Sequence, residues 1–203
     1  MPKKSRLNQR ERNKAANKKH ILECAMELFH NHGIDGVTME AIADASGVSK
    51  RTLYSYYPAK EAIISAYWQS NVEEKSKLLP NLLIQYPDTH SRLTAVFLDA
   101  AAGFKSAPEL AHIHFRYRFQ KIGDQKQSDM RSDFTRFLAE VIESGKAQGD
   151  IRDDVETSDL AMQLMLNFTA TCLLWFADPN AFSLDQRLIQ TIDCFLNGAG
   201  ITG

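Results

Sequence analysis

The sequence predicts an all-α protein of about nine helices in two parts: a small N-terminal three-helix unit and a larger helical unit. Three observations carry this. Apolar residues recur at helical spacing through most of the 203-residue chain, with proline and glycine punctuating the repeats. Residues 38–57 meet, position by position, the needs of two short helices joined by a tight turn. The 18 residues from Leu160 to Ala177 hold no charge, the composition of a helix buried on more than one side.

From about Asn13 the spacing of Ala16, Ile21, Leu22, Ala25, Met26, Leu28 and Phe29 suits a first amphipathic helix, ended by His32-Gly33 with Gly36 beyond. Residues 1–12 (MPKKSRLNQRER) show no apolar period and are expected to be a mobile basic arm. Thr38 then supplies an N-cap oxygen for a second helix, whose first-turn Glu40 complements the macrodipole and whose Ile42 and Ala43 face inward. Ala43 is small enough for another helix to cross close by. Gly47 stands where a three- or four-residue turn needs positive φ, and Val48 fills the corner beneath it. Ser49 caps a third helix with Leu53 and Tyr57 inward and Lys50, Arg51, Thr52, Tyr54, Ser55 and Tyr56 outward. Pro58 disfavours the α region at Tyr57 and stops that helix.

The pattern is a helix-turn-helix, whose second helix enters the major groove of DNA by its N-terminal end. Lys50 and Arg51 lie at that end, suited to guanine edges or phosphates, and base reading falls to Arg51, Thr52 and Ser55. A basic arm beside such a motif can enter the minor groove or lie on the backbone. A fourth helical pattern runs from Ala59 to about Leu79. Lys60 at its start opposes the helix dipole, which points to a phosphate partner.

Charge is distributed to match. The formal net charge is −1, yet residues 1–60 carry 11 Lys and Arg against 6 Asp and Glu, and the remainder carries 13 against 19. Basic residues release counterions from phosphates, while an acidic remainder is repelled by a duplex. Three cysteines (Cys24, Cys172, Cys194) within helical sequence argue against a disulfide framework and a paired metal motif, and suit a reducing cytoplasm. The N-terminal segment leads into a helix containing Glu23 and Glu27 and not into an apolar run, so no signal peptide is expected.

The stretch T-M-E-A-I-A-D-A-S-G-V-S-K-R-T-L-Y-S-Y-Y-P-A-K-E, Thr38 to Glu61, resembles the DNA-binding region of TetR-family transcriptional regulators, and the resemblance extends over roughly residues 15–65. Two positions depart from it: Ala59, where the family often has a polar capping residue, and Tyr57, where phenylalanine is usual. The C-terminal two thirds is similar to the family in length, helical pattern and the phrase Gly149-Asp150-Ile151-Arg152. The resemblance implies that Thr38, Tyr54, Tyr56 and Lys60 grip phosphates with Ser49 as cap. It implies a cytoplasmic homodimer on a palindromic operator, most often a repressor, released by a small-molecule effector. The chain then divides into an arm (1–12), a DNA-binding domain (13–59) and a regulatory domain (60–203).

In the larger part, helices are expected at about 88–106, 108–122, 129–148, 158–177 and 184–197, set off by Pro87-Asp88, Pro108, Gly123, Gly149-Asp150 and Asp178-Pro179-Asn180. Residues 112–120 alternate Ile113, Phe115, Tyr117 and Phe119 with polar residues as a strand would. Pro108 at the start, the lack of a partner strand and helical sequence on both sides favour a helix. Leu160 to Ala177 approaches the ~20 residues of a membrane span. Gln163, Asn167 and Thr171 form a polar line along it, however, and Asp159 and Asp178 flank it with no basic anchor. With Leu184, Leu188, Ile192, Phe195 and Leu196 it offers more apolar surface than one small bundle needs. The pair is therefore expected to form a homodimer interface across a two-fold axis.

Phe97, Phe104, Phe115, Phe119, Phe134, Phe137, Phe168 and Trp175 read as core aromatics, which the family resemblance turns into candidate walls of a ligand cavity. His112, His114, Arg116 and Arg118 are the polar groups placed to meet such a cavity, and two arginines favour an anionic ligand. Two other classes fit parts of the chain: a DNA-binding nucleoid or assembly factor that senses no small molecule, and a ferritin-like di-iron enzyme. For the enzyme, Glu27–His30 and Glu109–His112 supply Glu-x-x-His pairs, but no further carboxylates stand within apolar helical stretches to complete the site. No Gly-rich phosphate loop, nucleophile elbow or cysteine-histidine metal spacing is present, so no catalysis, cofactor or metal is expected.

Overall fold

The computed structural model describes residues 3–121 and 133–199. Among the described residues there are ten helices and no strand: α1 (Lys3–His32), α2 (Met39–Ala45), α3 (Lys50–Tyr56), α4 (Lys60–Ser76), α5 (Leu79–Gln85), α6 (Thr89–Ser106), α7 (Pro108–Lys121), α8 (Asp133–Gln148), α9 (Thr157–Ala177) and α10 (Leu184–Ala199). They form two compact units, Met1–Tyr67 and Trp68–Gly203, and the division falls inside α4, not at its start.

In the first unit Ile21 and Ala25 of α1, Ile42 and Ala43 of α2, Leu53 of α3, and Ile63 and Ile64 of α4 are wholly buried. The segment expected to be a mobile arm is helical from Lys3 onward. Residues 3–12 lack an apolar face, but they also lack glycine and proline and are mostly Lys, Arg, Gln, Glu and Leu, which extend a helix by propensity alone. From Asn13 to His20 every side chain, Ala16 included, is exposed, and among the described side chains of α1 the core begins at Ile21.

In the second unit α9 lies against α7, α8 and α10, and α6 against α8 and α10. The alternating stretch 112–120 is helical, within α7, and Ala111 and Phe115, four apart, are its buried residues. Helix α5 is an element that apolar periodicity did not single out. Pro80 sits in its first turn, where a missing N–H costs nothing, and none of its seven residues is fully buried. The helix expected over 129–148 is seen from Asp133, and 129–132 lie outside the described residues.

The phrase Gly149-Asp150-Ile151 has a physical reason. Gly149 takes φ 82° at the end of α8, a conformation that favours glycine. The turn brings Asp150 to the start of α6, where its Oδ2 accepts from both the backbone N–H and the hydroxyl of Thr89, each at 2.9 Å. Asp88 caps the same helix by accepting from Ser91 N–H at 2.7 Å, which holds its carboxyl below the usual range. Ile151 is buried against Gly145, where a Cβ would stand 2.3 Å from Thr89 Oγ1. Beside them Arg92, 2% exposed, donates to the carbonyls of Leu83, Tyr86 and Pro87 and to Gln148 Oε1, so a buried guanidinium is satisfied by neutral acceptors and ties α5 and α8 to α6.

Helix α9 has the length and apolarity of a membrane span, but Leu160, Ala161, Leu164, Phe168, Cys172 and Trp175 turn one face into the core. Its opposite face stays open: Leu166 is 46% exposed and Leu174 62%. The apolar residues of α10 differ from expectation. Leu184, Leu188, Ile192 and Phe195, read as interface residues, are buried in the chain's own core because α6 and α9 cover them.

Replacing Asp150 with alanine removes the acceptor of two bonds at the α6 N-terminus. Urea denaturation is expected to show a loss of roughly 1–2 kcal/mol, and no change would mean that Asp88 alone suffices as the cap.

Candidate nucleic-acid interface and effector region

The reading head is built from three local devices. Thr38, in extended conformation, accepts from Ala41 N–H at 3.1 Å and starts α2. Helix α2 ends in a Schellman motif: Gly47 at φ 65° donates to Asp44 O at 3.2 Å, and Val48 donates to Ala43 O at 3.0 Å. The buried Ser46 hydroxyl donates to Ile42 O at 2.6 Å. Ser49 then caps α3, accepting from Thr52 N–H at 3.1 Å. Tyr57 leaves the helix at φ −138°, as Pro58 requires, and is buried, which pushes its phenol up to about 12.

This arrangement leaves Lys50, Arg51, Tyr54 and Ser55 exposed on one surface, with Thr52 and Tyr56 half-buried beside them. Lys50 Nζ lies 3.6 Å from Glu40 Oε1 of α2, and the pair is open to solvent. The Thr52 hydroxyl is 2.8 Å from Ser49 Oγ, and Ser55 donates to Thr52 O at 2.7 Å, so both hydroxyls have internal partners in the free chain. Two cations of α1 stand over the Tyr56 ring, with Lys14 Nζ 6.0 Å and Lys18 Nζ 5.9 Å from its centroid. Sequence reasoning did not single out these lysines; their i,i+4 spacing on one helix face was the available signal. Lys60 is the largest departure. Its Nζ donates to Ile34 O at 2.6 Å, so the cation at the start of α4 is held by a carbonyl within the unit.

The second unit gathers the candidate effector residues unevenly. Phe97, Phe104, Phe115, Phe168 and Trp175 belong to one buried cluster. Phe104 is edge-on to Phe115 and to Trp68 of α4, both at 5.2 Å, and Phe97 meets Phe168 at 4.6 Å. His112 stacks on Phe176 at 5.5 Å. Phe137 is buried apart from that cluster, while Arg116 and Phe119 point outward: Phe119 is 60% exposed, and neither lines the cluster. A helix places only every third or fourth residue on one face, so the run 112–119 cannot turn all its rings inward. His114, expected with His112, Arg116 and Arg118 to meet a cavity here, lies against the rings of Trp68 and Phe115. Its Nδ1 is buried without a hydrogen-bond partner, 6.3 Å separates its ring from that of Trp68, and burial, with the charge of Arg118, holds its imidazole down to about 3.

Among the described residues, no group of three or more His, Cys, Asp or Glu could hold a metal. Glu27 and His30 are exposed on α1, and Glu109 is exposed on α7.

Residues 21–67 match the family model described as bacterial regulatory proteins, tetR family. The protein named as mycofactocin biosynthesis transcriptional regulator MftR of Mycobacterium tuberculosis is 31% identical over 122 residues, 60% of this chain; the match spans 58% of that protein's length. The HTH-type transcriptional repressor KstR2 of Rhodococcus jostii is 20% identical over 91% of this chain and 92% of its own. The fold is similar to the crystal structure of Thermus thermophilus FadR in complex with lauroyl-CoA, with a TM-score of 0.76 and 24% identity over 92% of this chain and 96% of that one.

His114 makes stability depend on pH in a stated direction. The unfolded chain takes up its proton near pH 6.5 and the folded chain near 3, so this contribution is complete above about 6.5 and declines by about 1.4 kcal/mol per pH unit below it. Between pH 7.5 and 5 the chain is expected to lose about 2 kcal/mol more than its His114→Leu variant in denaturant titrations. Equal losses would show that the imidazole is protonated normally in the folded state.

Proposed function

The chain is a transcriptional regulator of the tetR family, and we propose that it acts as a homodimeric repressor that an amphiphilic effector releases from a palindromic operator. The observation that carries this reading is the pair of cap-defined helices α2 and α3, closed by the Gly47 turn, with Lys50, Arg51, Tyr54 and Ser55 presented together. A helix of this kind lays its N-terminal residues against base edges while its neighbours meet phosphates. In a dimer two such helices stand roughly 34 Å apart, one turn of DNA.

The dimer uses the outward face of α9. Gln163, Leu166, Asn167, Ala170 and Leu174 recur at spacings of three and four on that face and are all exposed. Only 39% of the most apolar window of the helix is buried within one chain, which leaves the remainder for a second copy.

The effector enters the aromatic cluster. Phe97, Phe104, Phe115 and Phe168 suit an acyl or similarly apolar chain, and outward-facing Arg116 suits an anionic head group, the combination found in an acyl-CoA thioester. Similarity of fold to a lauroyl-CoA-bound repressor supports this class. Trp68 of α4 meets Phe104 and His114, and the same helix carries Lys60, whose ammonium holds Ile34 O in the DNA-binding unit. A ligand that displaces Trp68 acts on DNA affinity only as far as it prefers the DNA-incompetent arrangement of α4.

Fluorescence anisotropy against DNA from upstream of the coding region, beside a scrambled duplex, tests the reading. Preference for the upstream DNA is expected, lost in Lys50→Ala/Arg51→Ala without loss of the dimer; lauroyl-CoA is expected to release the DNA and free CoA to leave it bound. Release by neither would overturn the effector class, and equal affinity for both duplexes would overturn specific recognition of that site. Leu166→Glu/Leu174→Glu is expected to weaken the dimer by at least roughly 100-fold in sedimentation with helicity retained, whereas an unchanged dimer would place the interface elsewhere.

A further inference from the structure

Residues 13–20 of α1 are helical but serve no core. They are exposed throughout, and the buried residues that follow them in α1 start at Ile21. Their charges are nevertheless sorted. Lys19 turns to Glu23, 4.0 Å away along the helix, and Lys50 has Glu40. Lys14 and Lys18 form no ion pair among the described residues. Both stand about the ring of Tyr56, at 6.0 and 5.9 Å, on the last residue of the recognition helix. Like charges four apart on one helix face repel each other, and the π face of one ring offsets that repulsion only in part. Two exposed ammonium groups gathered over one ring, with no carboxylate paired to either among the described residues, therefore form a site short of an anion.

We propose that Lys14, Lys18 and Tyr56 form a phosphate clamp that carries the DNA interface from the recognition helix onto α1. This rests on the DNA-binding reading and adds to it two residues and a role. The ligand is a backbone phosphodiester and not a base edge, because lysine offers a compact point charge without the planar fork that reads guanine in two places. The ring has a mechanical part: it gathers the two cations before DNA arrives, so fewer side-chain rotamers are lost on binding. The clamp contributes affinity that is independent of sequence.

The test is the salt dependence of binding by the full chain. Anisotropy titrations over a range of KCl concentrations compare the parent with Lys14→Gln/Lys18→Gln, Tyr56→Phe and Tyr56→Leu, each against the upstream duplex and the scrambled one. The slope of log K against log salt is expected to become shallower by about 0.9 for each phosphate left without its lysine, roughly two per protomer in the double lysine variant, with the ratio of the two affinities unchanged. Tyr56→Phe keeps the ring and is expected to keep the slope; Tyr56→Leu is expected to move toward the double variant. A parent-like slope in the lysine variant would overturn the clamp, as would a changed ratio at constant slope, which would make these residues base readers. A parent-like slope in Tyr56→Leu would overturn the part given to the ring. Failure of the parent chain to bind either duplex would overturn the DNA-binding reading itself.

Discussion

The turn between α2 and α3 is the constraint on which the reading head depends. Two backbone bonds close it, from Gly47 to Asp44 O and from Val48 to Ala43 O, and both need the positive φ that Gly47 supplies. The buried Ser46 hydroxyl donates back to Ile42 O, which together with the two turn bonds satisfies carbonyls near the end of α2. With those groups paired, the wholly buried Ala43 and Leu53 are brought into one core and Ser49 is left in extended backbone, ready to cap α3. The outward direction of Lys50, Arg51 and Tyr54 follows from this.

The free reading head already holds its polar groups in place. Thr52 and Ser55 have internal partners, Lys50 has Glu40, and Lys60 reaches across to Ile34 O. These bonds order side chains that would otherwise lose conformational freedom on meeting DNA. They also set a competition. A phosphate that draws Lys50 away competes with a carboxylate, and the exchange in an exposed pair costs little. Lys60 is different, because its partner is a carbonyl at a helix junction and the bond braces the start of α4 against the segment that follows α1.

The second unit is organised by polar groups at its edges and rings at its centre. Asp88 and Asp150 share the N-terminus of α6, and Arg92 collects carbonyls at the end of α5, so the junctions of α5, α6 and α8 are held without a buried ion pair. Inside, rings from α4, α6, α7, α8 and α9 meet at 4.6 to 6.4 Å. Such contacts tolerate rearrangement better than interlocked aliphatic layers, because each ring has several favourable ways to meet its neighbour. A buried imidazole with an unpartnered nitrogen in that setting is costly for folding alone.

What the sequence by itself determined is local. The helical class, the caps Thr38 and Ser49, the positive φ of Gly47, the stop at Tyr57 and the outward set of α3 rest on bonds between residues three to five apart and on the steric limits of glycine and proline, all of which can be read along the chain. Tertiary structure decided which surfaces meet. The partner of Lys60 is 26 residues away in sequence, and Lys14 and Lys18 reach a ring on another helix. Leu184, Leu188, Ile192 and Phe195 are core residues and not interface residues, because an apolar stripe records that a face must be covered without recording by what. Arg116 and Phe119 follow the same logic in reverse: composition marks them as candidates, and only the rotation of α7 against its neighbours turns them away from the cluster. Helix propensity, not periodicity, carried α1 back to Lys3, because a run without glycine or proline extends a helix whether or not its sequence has an apolar face.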